Sequence, residues 1–441
     1  MEMGGREVNT RATVRLWGSD IGYVSLDEDQ QVASFEYDRD FLRSGIEVSP
    51  INMRLSSQLY RFPELSLKSF HGLPGLLADS LPDKFGNAVI DTWLATKGRK
   101  PESFNAVERL CYIGTRGMGA LEFKPAIARG KSSSSRIHVA QLAELASEIL
   151  THRESLVTVF ANRKDEQAVR EILRVGTSAG GARAKALIAW NPTTNEVRSG
   201  QVAAGIGFEY WLMKFDGVKN NRDKELADPE GYGAIEYAYS RMAVDAGIFM
   251  MPCRLFEEKG RCHFMTKRFD RTDDGVKKHM QSLAAVAHFD FNMAGAYGYE
   301  QAIMVMRDLN LEQDAVKQQF RRMVFNIVAR NQDDHVKNIA FLMDRKGSWS
   351  LSPAFDVTYS YNPTGDWTSA HQMTLNGKRD DFTMDDLESC GNLARLKRGE
   401  AKAVVSEIQA VVSNWPDYAE EAGVQPEQRD RIHQVLRLNW K

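Results

Sequence analysis

The chain has 441 residues, of which 43% are apolar and 26% charged, with a formal net charge of −2. This composition is typical of a globular chain with two or three domains, and its interspersed charges argue against a direct nucleic-acid partner. Because no apolar run approaches the ~20 residues that span a bilayer and no leader is evident, we expect a cytoplasmic protein with no membrane segment and with reduced cysteines.

The N-terminal region is predicted to be rich in β-structure. Three short strands separated by Gly and Asp turns form a β meander, with the ranges Thr13–Trp17, Ile21–Leu26 and Gln31–Tyr37. Helices are predicted to begin near Leu81–Lys84 and to cover Phe104–Cys111. The glycine-rich run at 113–123 favours a structural turn that enters a strand. Ser132–Ser135 is the predicted linker, and a helix over His138–Leu150 follows it.

A second glycine-rich run, Gly176–Lys185, precedes a predicted apolar strand over Ala186–Trp190. Small residues let backbone amides approach an anion, so this run is a candidate phosphate loop. It matches neither the Walker pattern nor the Gly-x-Gly-x-x-Gly spacing of kinases. Taken alone, this run fits a surface loop with a solvated Arg183 and Lys185 better than a phosphate loop.

Lys214 lies near the end of a predicted strand over Glu209–Phe215, and Glu236 lies in a predicted helix over Ile235–Ala246. A strand lysine followed by a helix glutamate is the ion-pair arrangement that positions ATP in protein kinases. The alternative is an ordinary surface pair of little energetic value.

A predicted hairpin, Arg254–Phe256 with His263–Lys267, leads into Lys267–Arg271, which we interpret as a hinge between two lobes. The chain beyond the hinge is predicted to be mostly helical. The helices expected there are Gln301–Leu309, Glu312–Val328, Ala401–Val412 and Pro426–Leu438.

The segment 330–356 carries the strongest indication of chemistry. Asp333 and Asn338 have the Asp-x-x-x-x-Asn spacing with which protein kinases place an acceptor for the substrate hydroxyl proton and a magnesium ligand on one loop. A predicted strand over Ile339–Met343 and a hairpin return then bring Asp356 beside them as a further metal-binding carboxylate. Asp334 is expected to be far less important for activity than Asp333.

Two other functions remain open from these residues. Asp333, Asp334 and His335 could hold a hydrolytic metal in a phosphoesterase, because carboxylates and imidazole bind such metals. A catalytically silent module would bind a nucleotide or a partner and transfer nothing. Incubation with γ-labelled ATP separates these functions by the product that carries the label.

The order of glycine loop, strand lysine, helix glutamate, hinge, Asp-x-x-x-x-Asn and later Asp resembles the HipA-type serine/threonine kinases, which are toxins of bacterial toxin–antitoxin modules. The resemblance covers nearly the whole chain. It implies an α+β, bilobal, protein-kinase-like fold with an N-terminal HipA-type subdomain over 1–130, a kinase N-lobe over 131–270 and a mostly helical C-lobe over 271–441. The family often has Gly where this chain has Asp334, and Glu where it has Lys267.

The resemblance also implies roles for residues. By this resemblance, Asp333 would accept the hydroxyl proton as the catalytic residue, Lys214 would contact and brace the nucleotide phosphates, Asn338 and Asp356 would bind Mg²⁺, and Ser178 would be the autophosphorylation site, with Thr177 as the adjacent alternative. The implied ATP-binding residues are Gly180, Gly181, Ala182, Arg183, Ala184, Lys185, Lys214, Glu236, Lys267, Arg268, Phe269, His335, Val336, Lys337, Asn338, Phe355 and Asp356.

The predicted function is Mg²⁺-dependent transfer of the ATP γ-phosphate to a protein Ser or Thr hydroxyl, with self-inactivation by phosphorylation of the glycine loop. The resemblance suggests an aminoacyl-tRNA synthetase-like target. It also suggests a small helix-turn-helix antitoxin as partner, through which DNA is reached indirectly.

Overall fold

The computed structural model describes residues 9–126, 137–151, 172, 175–176, 183–218 and 231–439. The predicted linker Ser132–Ser135 and the residues Thr177, Ser178, Gly180, Gly181 and Ala182 lie outside these ranges. Within them the chain forms sheets and helices in three regions, each with an apolar core.

The N-terminal region contains an antiparallel sheet in the order β4-β3-β2-β1-β5, which confirms the predicted meander. Its strands are β1 (Arg11–Leu16), β2 (Ser19–Asp27), β3 (Val32–Tyr37), β4 (Tyr60–Arg61) and β5 (Leu121–Lys124). Alternate residues of β1, Ala12, Val14 and Leu16, are buried, as expected for a strand with one face on a core. The helices of this region are α1 (Leu67–Phe70), α2 (Gly75–Ala78), α3 (Lys84–Thr96) and α4 (Ala106–Ile113).

The second region is built on a sheet in the order β7-β6-β8-β10-β9. Its elements are α5 (Val139–Thr151), β6 (Lys185–Trp190), β7 (Val197–Ser199), β8 (Glu209–Lys214), α6 (Tyr232–Asp245), β9 (Cys253–Glu258) and β10 (Arg261–Lys267). All of β6 is buried, because α3 and α5 pack on one of its faces while the other face points to the candidate site. The helix α3 therefore shares its core with this sheet rather than with the meander.

The third region is mostly helical and has the largest apolar core. Its strands β11 (His279–Ser282), β12 (Ala340–Met343) and β13 (Trp349–Leu351) form a small antiparallel sheet. Its helices are α7 (Leu283–Ala287), α8 (Tyr299–Asp308), α9 (Gln313–Val328), α10 (Met384–Leu393), α11 (Glu400–Val412), α12 (Trp415–Glu421) and α13 (Pro426–Val435). The helix α6 contributes Tyr239, Met242 and other side chains to this core, so it bridges the second and third regions.

The N-terminal region is fastened directly to the third region. The Asp79 carboxylate accepts hydrogen bonds of 2.7 Å from both the backbone N–H and the hydroxyl of Ser282, which caps α7. The Asn52 side-chain amide donates to the carbonyl of Val286 at 2.7 Å. Because Leu283 N–H donates to the carbonyl of Ile339, these contacts reach the segment that carries Asp333 and Asn338.

Two general properties concern the described part of the chain. None of its helices combines the length and the apolar character needed to cross a bilayer. The thiols of Cys111, Cys253, Cys262 and Cys390 are free, and Cys111 and Cys390 are buried.

Candidate active site

The centre of the candidate site is the ammonium group of Lys214, which contacts carboxylate oxygens of both Glu236 and Asp356. Lys214 ends β8, the third strand of its sheet, and Glu236 lies on α6, the next helix described. Lys214 and Glu236 are 5% and 1% exposed. Although burial alone lowers the pKa of Lys214, Asp356 and Glu236 raise it above its ordinary value. The ammonium group is therefore charged at neutral pH.

Two further cations lie at the start of β6. Lys185 pairs in register with Lys214 across the sheet, so both side chains point to the same face. Burial lowers the pKa of Lys185 to about 8, and the neighbouring Lys214 charge acts in the same direction. The guanidinium group of Arg183 donates to Glu236 at 2.8 Å and lies over the Tyr232 ring. Of the predicted glycine loop, the described end thus supplies Arg183 and Lys185, while Ala184 is buried.

Asp333 and Asn338 belong to one short loop. The side-chain amide of Asn338 donates to the backbone carbonyl of Asp333 at 2.8 Å, which ties the two ends of the Asp-x-x-x-x-Asn interval together. The Asp333 side chain is 40% exposed, so its carboxylate faces solvent. Trp367 donates its indole N–H to this carboxylate at 2.8 Å.

The neighbouring Asp334 points into the protein. Its carboxylate accepts hydrogen bonds from the Tyr299 hydroxyl at 2.6 Å, the His371 ring at 2.8 Å and the Gln372 backbone N–H at 2.7 Å. Burial raises the pKa of Asp334, but His371 and the hydrogen bonds lower it more. Asp334 therefore has a structural role that the sequence did not indicate, because its loss would leave buried polar groups without an acceptor, while its minor importance for activity stays a prediction.

In this orientation Asp333, Asp334 and His335 do not converge on one point, as the hydrolase alternative requires. Asp333 and Asp334 face in different directions, and the His335 ring nitrogen lies 3.8 Å from the Asp333 carboxylate. Among the described residues, no group of three or more His, Cys, Asp or Glu side chains converges in a way that could hold a metal ion.

The remaining residues of the loop have different surroundings. Val336 is buried in the core of the third region, so its side chain does not line the site. The ammonium group of Lys337 contacts Asp83 of the N-terminal region and lies 4.5 Å from the centre of the Phe291 ring. Burial lowers the pKa of Lys337, but Asp83 and Asp79 raise it above its ordinary value. Lys337 thus joins the loop to the N-terminal region.

Asp356 completes the site in an unusual backbone conformation. Its φ of 52° lies in the left-handed region, which Asp tolerates better than most residues. Burial raises the pKa of Asp356, but Lys214 and Lys185 hold it well below its usual range. Asp356, Phe355 and Asn338 line one small cavity. Carboxylate and amide oxygens are ligands that Mg²⁺ accepts together with phosphate oxygens, so these residues fit a phosphate-bound Mg²⁺.

The predicted hinge divides into two parts. The Phe269 ring lies against the Phe355 ring with centres 5.5 Å apart, which places an aromatic pair beside the cavity. The side chains of Lys267 and Arg268 have other partners: Lys267 pairs with Asp273 at 2.8 Å, and Arg268 is buried against Asp270. Any contact of these two residues with a nucleotide would therefore come from the backbone.

Asp270 lies at the centre of a buried cluster that joins the hinge to the N-terminal region. Its carboxylate pairs with Arg268 and Arg271 at 2.8 Å each and accepts from the Gly119 backbone N–H at 2.8 Å. Arg271 in turn donates to the carbonyls of Gly117 and Gly119. The glycine-rich turn at 113–123 is thus structural, as the sequence predicts.

Two family models match this chain, one in its N-terminal part and one in its C-terminal part. Residues 12–124 match the HipA N-terminal domain and residues 177–415 match the HipA-like C-terminal domain. The chain belongs to the HipA family. The predicted α+β architecture and the resemblance on which it rests are thereby confirmed.

Two solved structures are similar to this chain. HipA in the complex of the Shewanella oneidensis MR-1 toxin–antitoxin system with HipB and operator DNA aligns with a TM-score of 0.63 at 16% identity, over 96% of this chain and 94% of that chain. The Helicobacter pylori proinflammatory kinase CtkA aligns with a TM-score of 0.34 at 13% identity, over 52% of this chain and 88% of that chain. No curated protein matches by sequence.

Three residues that contact predicted site residues were missed by sequence reasoning. Asp83, Trp367 and Asp270 contact Lys337, Asp333 and Arg268, respectively. Asp270 lies in the predicted hinge and Asp83 in a predicted helix start. Their neighbours in the sequence do not indicate which residues they contact. Trp367 lies in a stretch without periodicity.

Proposed function

We propose that this HipA-family chain is a Mg²⁺-dependent serine/threonine protein kinase that transfers the γ-phosphate of ATP to a protein hydroxyl. The observation that carries the proposal is the buried Lys214–Glu236 ion pair in contact with Asp356. In protein kinases the strand lysine and helix glutamate must be paired, and a later Asp must bind the metal, for phosphoryl transfer to occur. An ordinary surface salt bridge leaves its side chains exposed to solvent, whereas Lys214 and Glu236 are both buried.

The nucleotide is proposed to lie along the face that these side chains share. Lys214, Lys185 and Arg183 supply positive charge for the phosphates, and the Phe269–Phe355 pair supplies an apolar surface for the adenine. The proposed contacts of Gly180, Gly181 and Ala182 with phosphate would come from backbone amides. His335 lies beside Asp333 and is proposed to face the phosphate end.

The chemical step is assigned to Asp333. The acceptor oxygen attacks the γ-phosphorus, its proton moves to the Asp333 carboxylate, and the bond to the ADP oxygen breaks. Mg²⁺, held by Asn338 and Asp356, would offset negative charge on the phosphates. Asp333 suits this role because its carboxylate is exposed, whereas those of Asp334 and Glu236 are buried.

Autophosphorylation at Ser178, or at the adjacent Thr177, is proposed as self-inactivation. A phosphate there adds about −1.5 to −2 charge to the loop that must receive the phosphates of ATP, so the two repel each other. Protein purified from cells should contain a species heavier by one phosphate on the Gly176–Lys185 peptide, absent from an Asp333→Asn variant. Mass spectrometry that finds neither residue modified, in a preparation that phosphorylates another protein, would refute the switch alone.

A small helix-turn-helix antitoxin is the proposed partner, with DNA bound through that partner and with action in the cytoplasm. The support is family membership and the likeness to a HipA in complex with HipB and operator DNA. An aminoacyl-tRNA synthetase is the proposed class of protein substrate, and it rests on the family resemblance alone. Co-purification with the product of a neighbouring reading frame tests the partner.

The function as a whole is tested by incubation with γ-labelled ATP, Mg²⁺ and heat-treated bacterial cell extract, in which endogenous kinases are inactive. Label on protein is the expected result. Label only in free phosphate would favour a phosphoesterase, and no turnover despite ATP binding would favour a silent module. A Lys214→Met variant should transfer no label, while Lys346→Met, which changes a lysine in the exposed turn between β12 and β13, should transfer as well as the unchanged protein.

A further inference from the structure

The carboxylate assigned to catalysis has a fixed hydrogen-bond donor. The indole Nε1–H of Trp367 donates to Oδ1 of Asp333 at 2.8 Å, across 34 residues of sequence. The other ring nitrogen nearby, Nε2 of His335, lies 3.8 Å from the same oxygen, which is too far for a hydrogen bond. Trp367 is therefore the closest polar contact described for this carboxylate.

The backbone of Trp367 is linked through Gln372 to the two residues that flank Asp333 in the chain, Gln332 and Asp334. The side-chain amide of Gln372 donates to the carbonyl of Trp367. It also donates to the carbonyl of Ala370, at 3.0 Å. The same amide lies 3.4 Å from the carbonyl of Gln332, and the backbone N–H of Gln372 donates to Asp334 at 2.7 Å. Gln372 is 3% exposed. The segment 367–372 is thus anchored to the residues that flank Asp333 in the chain.

We infer that Trp367 is a positioning residue for phosphoryl transfer, an inference that rests on the proposed kinase function. The terminal torsion of an Asp side chain has a broad energy minimum, so an exposed carboxylate samples many orientations. A hydrogen bond to Oδ1 from the indole of Trp367, whose backbone is anchored through Gln372, restricts this rotation and directs Oδ2 toward the acceptor hydroxyl. The proton of the acceptor then passes to Oδ2 as its oxygen bonds to the γ-phosphorus and the bond to ADP breaks.

The opposite role, in which Trp367 blocks the acceptor, is less consistent with the structure. The Asp333 side chain keeps 40% of its surface exposed while the indole contact is made. Only one of its two oxygens is used by Trp367, and a carboxylate oxygen has room for more than one donor. The contact therefore orients the carboxylate without covering it.

The test replaces the indole with side chains that lack the N–H donor. Trp367→Phe keeps an aromatic ring, and benzothienylalanine incorporated at position 367 keeps the bicyclic shape as well. Trp17→Phe is the matched control, because it removes an indole N–H that donates at 2.9 Å to the carbonyl of Lys277, away from Asp333. Label transfer from γ-labelled ATP to heat-treated extract gives kcat and KM for ATP, calorimetry gives MgATP affinity, and thermal unfolding gives Tm.

The expected result for both position-367 variants is a fall in kcat of about tenfold or more, with MgATP affinity, KM for ATP and Tm close to those of the unchanged protein and of Trp17→Phe. Unchanged or faster transfer by the benzothienylalanine protein would overturn the inference, and faster transfer would indicate a blocking contact. Equal losses of kcat and MgATP affinity would also overturn it, because they indicate a structural role. Absence of transfer by the unchanged protein would instead refute the proposed function, and this inference with it.

Discussion

Asp333 and Asp334 are adjacent in the chain but face opposite environments: the Asp333 side chain is 40% exposed, whereas that of Asp334 is 1% exposed and bonded to Tyr299, His371 and Gln372. One carboxylate is thus available for chemistry, and the other organises the interior behind it. We therefore expect substitution of Asp333 to affect activity and substitution of Asp334 to affect stability.

The first prediction follows from this separation. Asp334→Asn should lower the free energy of unfolding by ~2–4 kcal/mol, because three buried donors lose a charged acceptor. Asp333→Asn should change it by less than ~1 kcal/mol, since an exposed group contributes little. Denaturant unfolding of the two variants side by side measures both values. Equal stability of the two variants would contradict the different orientations of Asp333 and Asp334.

Asp356→Asn should weaken MgATP binding by roughly tenfold or more, because one metal-binding carboxylate is lost. Asn is chosen because, like Asp, it tolerates the left-handed conformation that Asp356 adopts at a φ of 52°. Titration calorimetry with MgATP gives the affinity, and Asp344→Asn, in the turn after β12, is the control. Full MgATP affinity in Asp356→Asn would exclude Asp356 from the site.

The Lys185 ammonium group predicts a pH dependence of nucleotide binding. Burial lowers the pKa of Lys185 to about 8, and phosphates nearby would stabilise the charged form and raise it again. Above about pH 8 the protein should therefore take up protons when MgATP binds, and the affinity should fall as the pH rises. Calorimetry at pH 8.5 in two buffers of different ionisation enthalpy measures the uptake. Lys185→Gln should abolish it, and uptake that persists in this variant would assign the titration to another group.

Asp270→Ala should be strongly destabilising. It leaves Arg268 and Arg271, both almost fully buried, without their shared counter-ion, which costs ~3–5 kcal/mol. Asp273→Ala, at a 73% exposed side chain that pairs with Lys267, should cost less than ~1 kcal/mol. Denaturant unfolding compares the two. A small effect at Asp270 would mean that the N-terminal region is not held to the hinge through this cluster.

Much of the fold and of the site could be predicted from the sequence. The period of the apolar residues predicts the meander, the helix α9 and the strand β8, because this period determines which face of each element can be buried. The placement of Lys214 against Glu236 followed from the order of a strand and a helix, and that of Asn338 against Asp333 from spacing within one loop.

The contacts that could not be predicted join segments without a local signal. Lys337 lies in the proposed nucleotide loop, but its partner Asp83 is 254 positions away. The family resemblance implies that Arg268 lines the nucleotide, whereas its side chain is directed to Asp270. Nothing near Asp334 in the sequence indicates that it is buried, and only the positions of Tyr299 and His371 reveal this.

We propose that Asp333 acts in phosphoryl transfer within a site that binds MgATP without its help. The most direct measurement compares the unchanged protein with Asp333→Asn for label transfer from γ-labelled ATP and for MgATP affinity by calorimetry. We expect that Asp333→Asn binds MgATP as the unchanged protein does and transfers at least ~100-fold less label to protein. Transfer by Asp333→Asn at the rate of the unchanged protein would contradict it.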